Sequence, residues 1–207
     1  MEGKTNYNVE LIKKETQDIN WKNLESISDF YEKYLGFFKN IDNAIDDESK
    51  LFFIKIKLHY IDALISKHRF TISIPILTDV NILLEKLKKH QEYNKLYEDY
   101  LMIFGIVEGK LERYASSLEI FKELRKIDPD NDLYKKWYIY NKSNLNSRYN
   151  QILAYVGLAL ILIEFARRII FDYPVNKYLT SAGLLMCLTS FVIPFVIKYY
   201  TKIKEKI

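Results

Sequence analysis

The chain has 207 residues, of which 49% are hydrophobic, with six glycines, four prolines and one cysteine. So few glycines and prolines exclude a collagen-like or low-complexity chain, and the lone Cys187 excludes a disulfide framework and a multi-cysteine metal site. Residues 1–148 carry 24 basic and 24 acidic side chains, so the net charge of +4 comes from the remaining residues. A basic nucleic-acid-binding face is therefore not expected.

The first 22 residues are dotted with charges and contain no apolar core of the length of a secretion signal. A signal peptide requires such a core behind a basic start. We expect an N-terminal extension here, and we expect residues 1–148 to remain in the compartment where they are made.

Residues 23–148 show apolar side chains at intervals of three and four, which predicts helices. The predicted helices cover 23–38, 48–67, 71–89, 91–109 and 112–127, and a last one begins at Asp132 and meets no strong stop before the next apolar segment. FFIKIKL, residues 52–58, also alternates with period two, so a local strand competes there. Pro129 ends one helix, and Asp130 or Asn131 caps the next. The fold class is all-α.

Residues 98–131 resemble one tetratricopeptide repeat of 34 residues. The positions that match the packing pattern of that family are Leu101, Phe104, Gly105, Tyr114, Ser117, Phe121, Leu124 and Pro129. Glu108 departs from the pattern, because the family has an aromatic there, and Leu124 stands where the family has alanine. The small residues Gly105 and Ser117 should let two helices approach closely.

LLEKLKKH (83–90) parallels IFKELRKI (120–127) at an offset of 37, which indicates an earlier unit around 48–90. A single unit cannot bury its apolar face, so about three helix pairs are expected over a domain of residues 23–147.

The resemblance implies a groove that binds a protein partner along the first helix of each pair. The matching groove positions are Asp99, Met102, Ile103, Ile106 and Gly109. Family members that clamp a carboxylate carry Lys and Asn where this chain has Met102 and Ile106. An apolar peptide or amphipathic helix is therefore the expected ligand, although these side chains could equally pack against a neighbouring helix.

Residues 148–207 are predicted to form a transmembrane hairpin with a basic C-terminal tail. Residues 178–197 contain no charge over twenty positions, enough to span about 30 Å. The preceding span is less apolar and is expected between Arg148 and Ala166. Its charges, Glu164, Arg167 and Arg168, should lie at the membrane interface, with Glu164 paired to Arg168. A second interpretation gives Glu164 a role in oligomer contact or ion conduction.

Eight basic residues flank the ends of this hairpin and three flank its turn, which predicts cytoplasmic termini. The residues at the ends are Lys135, Lys136, Lys142, Arg148, Lys198, Lys202, Lys204 and Lys206; those at the turn are Arg167, Arg168 and Lys177. The composition is rich in Ile, Lys, Asn and Tyr, and we take a bacterial inner membrane as the expected location.

No common phosphate-binding, zinc or hydrolase motif occurs in the sequence. His59 and Asp62 lie one helical turn apart and could form half of a metal or acid–base site, but exposed polar positions explain them more simply. We expect no enzyme, cofactor or metal. Three hypotheses remain: a membrane-anchored adaptor for a protein partner, a membrane effector whose hairpin oligomerises or perturbs the bilayer, and a soluble helical module with a buried hairpin.

Overall fold

A computed structural model of the chain describes residues 9–39, 46–171 and 174–204. Within these ranges the chain forms nine α-helices and one 3-10 turn, and contains no strand. The predicted all-α class is confirmed, and residues 52–58 are helical. The helices are α1 (Val9–Glu15), α2 (Leu24–Lys33), α3 (Leu35–Lys39), α4 (Asp47–Ser66), α5 (Phe70–Lys86), α6 (Tyr93–Lys110), α7 (Tyr114–Ile127), α8 (Asp132–Phe171) and α9 (Lys177–Lys204).

The chain divides into two compact units, Met1–Tyr138 and Ile139–Ile207, and the boundary falls inside the long helix α8. The uninterrupted helix expected from Asp132 into the first apolar segment is thus confirmed. Of the two candidate caps, Asn131 is the one whose side-chain oxygen accepts hydrogen bonds from the backbone of Leu133 and Tyr134. These bonds satisfy N–H groups that have no partner within the helix.

The N-terminal extension contains a helix that the periodicity did not predict. Ile12 on α1 is completely buried and joins the apolar core of the first unit. The helix predicted over 23–38 is in fact two, because α2 ends at Lys33 and α3 begins at Leu35. Residues 1–8 of the extension lie outside the described residues.

Helix α4 contributes to two apolar clusters, which explains why it is buried on most of its circumference. One cluster joins α1, α2, α3 and α4 and is rich in aromatic rings; Tyr31 stacks on Tyr60 with ring centroids 4.0 Å apart. The other cluster joins α4, α5, α6, α7 and the start of α8 around Phe121 and Leu124. Side chains from each of the helices α1 to α8 thus contribute to the apolar core of the first unit.

The helices α4 and α5 form one antiparallel pair, and α6 and α7 form another, joined by turns of the same geometry. His68 has φ of 56° and Glu112 has φ of 60°, and these two residues are 44 positions apart. In each turn the N–H of the following residue donates to the carbonyl five residues back, from Arg69 to Leu64 and from Arg113 to Glu108. This is the Schellman motif, which closes a helix with one residue in the left-handed region.

The same separation of 44 relates the buried faces of α5 and α7. Ser73, Leu77 and Val80 on α5 correspond to Ser117, Phe121 and Leu124 on α7, and all six are buried. The offset of 37 read from residues 83–90 does not align the turns, because it pairs His68 with Gly105, inside α6, rather than with Glu112. The two helix pairs therefore repeat one local design at a period longer than 34 residues.

Of the two predicted membrane spans, the structure supports one by length and composition, the later span on α9. Among the described residues, one stretch, Lys177–Val196 on α9, is long and apolar enough to cross a membrane. The stretch on α8 fails this test because its uncharged run covers only residues 149–163 and ends at Glu164, with Arg167 and Arg168 following at once. Residues 205–207 of the basic tail, and 172–173 of the turn, lie outside the described residues.

Candidate functional site

The first helices of the two pairs, α4 and α6, lie side by side and run in the same direction. Lys55 on α4 donates to Glu92 at the start of α6 over 2.6 Å. Further along, Asp62 on α4 and Asp99 on α6 are close enough for their charges to interact. Both contacts join residues 37 positions apart, which requires parallel helices. We call the exposed surface of these two helices the α4/α6 face.

The five groove positions expected from the resemblance do not share one environment. Asp99 is exposed, and Met102 and Ile106 are half-buried on the α4/α6 face, where they also touch the apolar core. Ile103 and Gly109 are buried. The accessible part of the groove on α6 is therefore a strip of one acid and two apolar side chains at intervals of three and four.

Three further residues of the first unit, Trp21, His59 and Asp62, belong to this face and were not predicted to do so. Trp21, from the loop before α2, places its ring centroid 5.2 Å from that of His59. His59 and Asp62 are exposed on α4, as their interpretation as surface polar positions requires. One signal in the sequence could have indicated this face: Lys55, His59 and Asp62 follow one another at intervals of four and three residues, which places them on one side of a helix.

The two aspartates of the α4/α6 face have raised pKa values. Surrounding protein atoms raise the pKa of the Asp62 carboxyl; His59 opposes this rise and Asp99 adds to it. Partial desolvation by surrounding protein atoms also raises the pKa of the Asp99 carboxyl, although its side chain remains accessible, and Lys95 opposes this rise. Neither carboxylate forms a salt bridge within the described part of the chain. The face therefore holds negative charge that the fold does not neutralise by direct pairing.

The contact between α6 and α7 is close because two small residues meet there. The Ser117 hydroxyl donates to the Gly105 carbonyl over 2.6 Å, and both residues are buried. A Cβ added at Gly105 would lie 2.8 Å from Cε2 of Phe121. Leu101 and Leu124 are buried in the same core, and Phe104 and Tyr114 are half-buried. Pro129 is exposed between α7 and α8.

Glu108, which departs from the family pattern, has a structural partner. Its side chain is buried, and Arg113 donates to its carboxylate over 2.9 Å. Arg113 also donates its backbone N–H to the Glu108 carbonyl. A buried acid paired across a turn in this way stabilises the turn rather than an exposed binding surface.

Within the second unit, α8 and α9 cross at two glycines. A Cβ on Gly157 would lie 2.7 Å from the carbonyl oxygen of Gly183, and a Cβ on Gly183 would lie 2.8 Å from that of Gly157. Thus only glycine permits this backbone contact at either position. Close crossings at small residues are typical of helix pairs in membranes.

Glu164 connects the end of α8 to the start of α9. Its carboxylate accepts from the backbone N–H of Asn176 and, over 3.3 Å, from Arg167. The predicted partner Arg168 is therefore replaced by Arg167, one position earlier, and Arg168 is exposed. Asn176 in turn accepts from the backbone of Tyr178 and so caps α9. Glu164 is 3% exposed, and both of its oxygens serve the turn.

The outer surface of this helix pair is apolar. The large side chains that α8 and α9 expose include Ile152, Leu158, Leu162, Phe165, Leu184, Leu188, Phe191 and Phe195. The residues buried in the second unit include Gly157, Glu164, Gly183 and Ser190, which are small or polar. A water-soluble helix pair has the opposite distribution, with large apolar residues inside. Arg148, at the start of the predicted hairpin, is exposed.

In the part of the chain that the structure describes, no group of three His, Cys, Asp or Glu side chains could hold a metal ion. Comparison of the chain with models of protein families, with curated proteins and with solved structures gives no match.

Proposed function

We propose that this chain is a membrane-anchored helical-repeat protein, similar in design to tetratricopeptide proteins, which binds a protein partner on the cytoplasmic side without enzymatic activity. The observation that carries the proposal is the contrast between its two units. The first buries its large apolar side chains, whereas the second exposes them and buries small and polar ones. Such an inverted distribution is stable when lipid rather than water surrounds the helices.

The anchor is α9, the stretch long and apolar enough to cross a membrane. The apolar part of α8 enters the same bilayer beside α9, because the contact of Gly157 with Gly183 places the two helices together. The charges that interrupt α8 lie at the turn, where Glu164 is already satisfied by Asn176 and Arg167. Both ends of the pair then face the same side, and the larger number of flanking basic residues puts that side in the cytoplasm.

The partner-binding site is the α4/α6 face. Two features support this assignment: the half-buried Met102 and Ile106, which offer apolar surface at helical spacing, and the aromatic ring of Trp21 on the same unit. The repeated turns at His68 and Glu112 support a tandem helical array, the class of fold whose first helices line a binding surface.

An effector role for the hairpin, in which Glu164 acts inside the bilayer, has less support. An acid that conducts ions or joins subunits needs a carboxylate oxygen available to a ligand. In this structure both oxygens of Glu164 accept hydrogen bonds within the turn. A liposome-leakage assay that compares Glu164→Ala with the unchanged chain distinguishes the two roles, because only an effector loses a leakage activity.

The test of the proposal is crosslinking from native membranes, followed by capture of the full chain. The variants Met102→Lys and Ile106→Lys should lose the crosslinked partner while they keep their thermal stability, since a lysine on an open face stays hydrated. Phe121→Ala is the contrasting variant: Phe121 is fully buried, and its loss should cost about 3–5 kcal/mol of stability. If Met102→Lys unfolds the chain as Phe121→Ala does, Met102 is a core residue and the proposed site is wrong.

A further inference from the structure

The α4/α6 face concentrates negative charge within a unit that is otherwise balanced. The face carries two basic side chains, Lys55 and Lys95, and four acidic ones, Asp62, Glu92, Glu98 and Asp99. Lys55 is held by Glu92, and Glu98 accepts from the Tyr134 hydroxyl over 2.6 Å. The two carboxylates left without a direct partner within the described residues are Asp62 and Asp99.

These two carboxylates lie on neighbouring helices, at the same offset of 37 as the Lys55–Glu92 ion pair two turns earlier. Asp99 acts on the charge of Asp62, and His59 lies close enough to influence both. The fold thus holds two like charges near each other, an arrangement that costs free energy unless a cation approaches. A ligand with positive charge would remove this cost.

The apolar strip continues from the acids along α6. Met102 lies one turn beyond Asp99, and Ile106 lies one further turn along, both half-buried. On the α4 side the exposed edge of the Trp21 ring lies beside His59. An occupant of this face must therefore combine positive side chains with apolar ones at helical spacing.

We propose that the partner segment bound by the α4/α6 face is a basic amphipathic peptide, whose arginine or lysine side chains pair with Asp62 and Asp99 while its apolar side chains cover Met102 and Ile106. The inference rests on the proposed function and specifies the chemistry of its partner. Charge complementarity favours it over an acidic or uncharged segment, and the same acids disfavour a partner that presents a free carboxylate.

The experiment measures binding of short synthetic peptides to the full chain in phosphatidylcholine nanodiscs, with binding to empty discs subtracted. The probe carries two arginines and two leucines in an otherwise neutral sequence. Matched probes carry glutamine or glutamate in place of the arginines. We expect the arginine probe to bind at least tenfold more tightly than the glutamine probe, and we expect this preference to shrink as salt is raised.

The test variant carries both Asp62→Asn and Asp99→Asn. The matched control carries both Glu119→Gln and Asp130→Asn, which remove the same amount of charge from exposed positions on α7 and on the turn after it. The first pair should weaken binding of the arginine probe about tenfold, and the control should not change it. Equal binding of the glutamine and arginine probes would overturn the inference and leave an apolar groove intact. The inference would also be overturned if none of the peptide probes bound the chain while Met102→Lys still abolished the crosslink to the native partner. That result would leave the proposed function unaffected.

Discussion

The hydroxyl of Ser117 donates to the carbonyl of Gly105 over 2.6 Å and thereby joins α7 to α6 at their closest approach. The hydroxyl is buried, so water cannot replace the bond if either partner is altered. The interface needs small residues on both helices, which explains the residue types that the sequence resemblance identified at these positions.

Ser117→Ala should lower the free energy of unfolding by about 1 kcal/mol, because it removes this buried hydrogen bond. The neighbouring Ser116 is exposed on the same helix, so Ser116→Ala is a matched control and should change stability by less than about 0.5 kcal/mol. Chemical denaturation of the full chain in detergent, followed by tryptophan fluorescence, measures both. Trp137 is a suitable reporter, since it stacks on Phe121 at 5.7 Å. Equal effects of the two variants would contradict the assignment.

The two left-handed residues of the repeated turns are not glycine, and this costs stability. His68→Gly and Glu112→Gly should each raise the free energy of unfolding by about 0.5–1 kcal/mol, because glycine adopts positive φ without a Cβ penalty. Alanine at either position should bring no such gain. Denaturation midpoints of the four variants check this. A loss of stability in both glycine variants would show that His68 and Glu112 have side-chain roles that outweigh the backbone strain.

Several helices were predicted from sequence to within a few residues, because their apolar side chains recur at the period of a helix. Two features escaped this reasoning. The break between α2 and α3 falls at Tyr34, and the nearby Gly36 is weak evidence for a break inside an otherwise periodic run. On α1, Ile12 is buried but the adjacent Leu11 is exposed, so this short charged segment shows little periodicity.

The first predicted span, on α8, does not qualify by itself, because its charges were counted as flanks rather than as a limit on length. The proposal that α8 crosses beside α9 therefore depends on their contact at Gly157 and Gly183. The candidate site was only partly predictable. The resemblance to tetratricopeptide repeats implied Asp99, Met102 and Ile106, but the placement of Asp62 near Asp99 and of Trp21 beside His59 depends on how α4 packs on its neighbours. Such contacts across the first unit leave no local pattern in the sequence.

The raised pKa of Asp62 makes the stability of the chain depend on pH in a defined direction. Because its folded pKa lies above the ordinary value of 3.8, the folded state holds this proton longer than the unfolded state. The contribution to stability is therefore present below pH 3.8 and is lost as pH rises through the folded pKa. Asp62→Asn should melt at a higher temperature than the unchanged chain at pH 7, and the difference should shrink at acid pH. A lower melting temperature at pH 7 would contradict this origin of the shift.

The proposed topology places the turn between α8 and α9 outside the cytoplasm. A cysteine at Val175, in a chain that carries Cys187→Ser, should react with a membrane-impermeant thiol reagent in intact cells. Val175 is exposed, whereas Asn176 caps α9 and is better left unchanged. A cysteine at Asn94, exposed on α6, is the matched control and should react only after the cells are opened. The reverse labelling pattern would invert the topology.

The most direct test of the membrane anchor is alkaline carbonate extraction of membranes that contain the full chain. The account predicts that the chain stays in the membrane pellet, because the apolar side chains of α9 face lipid. The variant with Leu184→Lys and Leu188→Lys, both at exposed positions of α9, should shift to the supernatant. Release of the unchanged chain into the supernatant would contradict the account and would favour a soluble helical module with a covered hairpin.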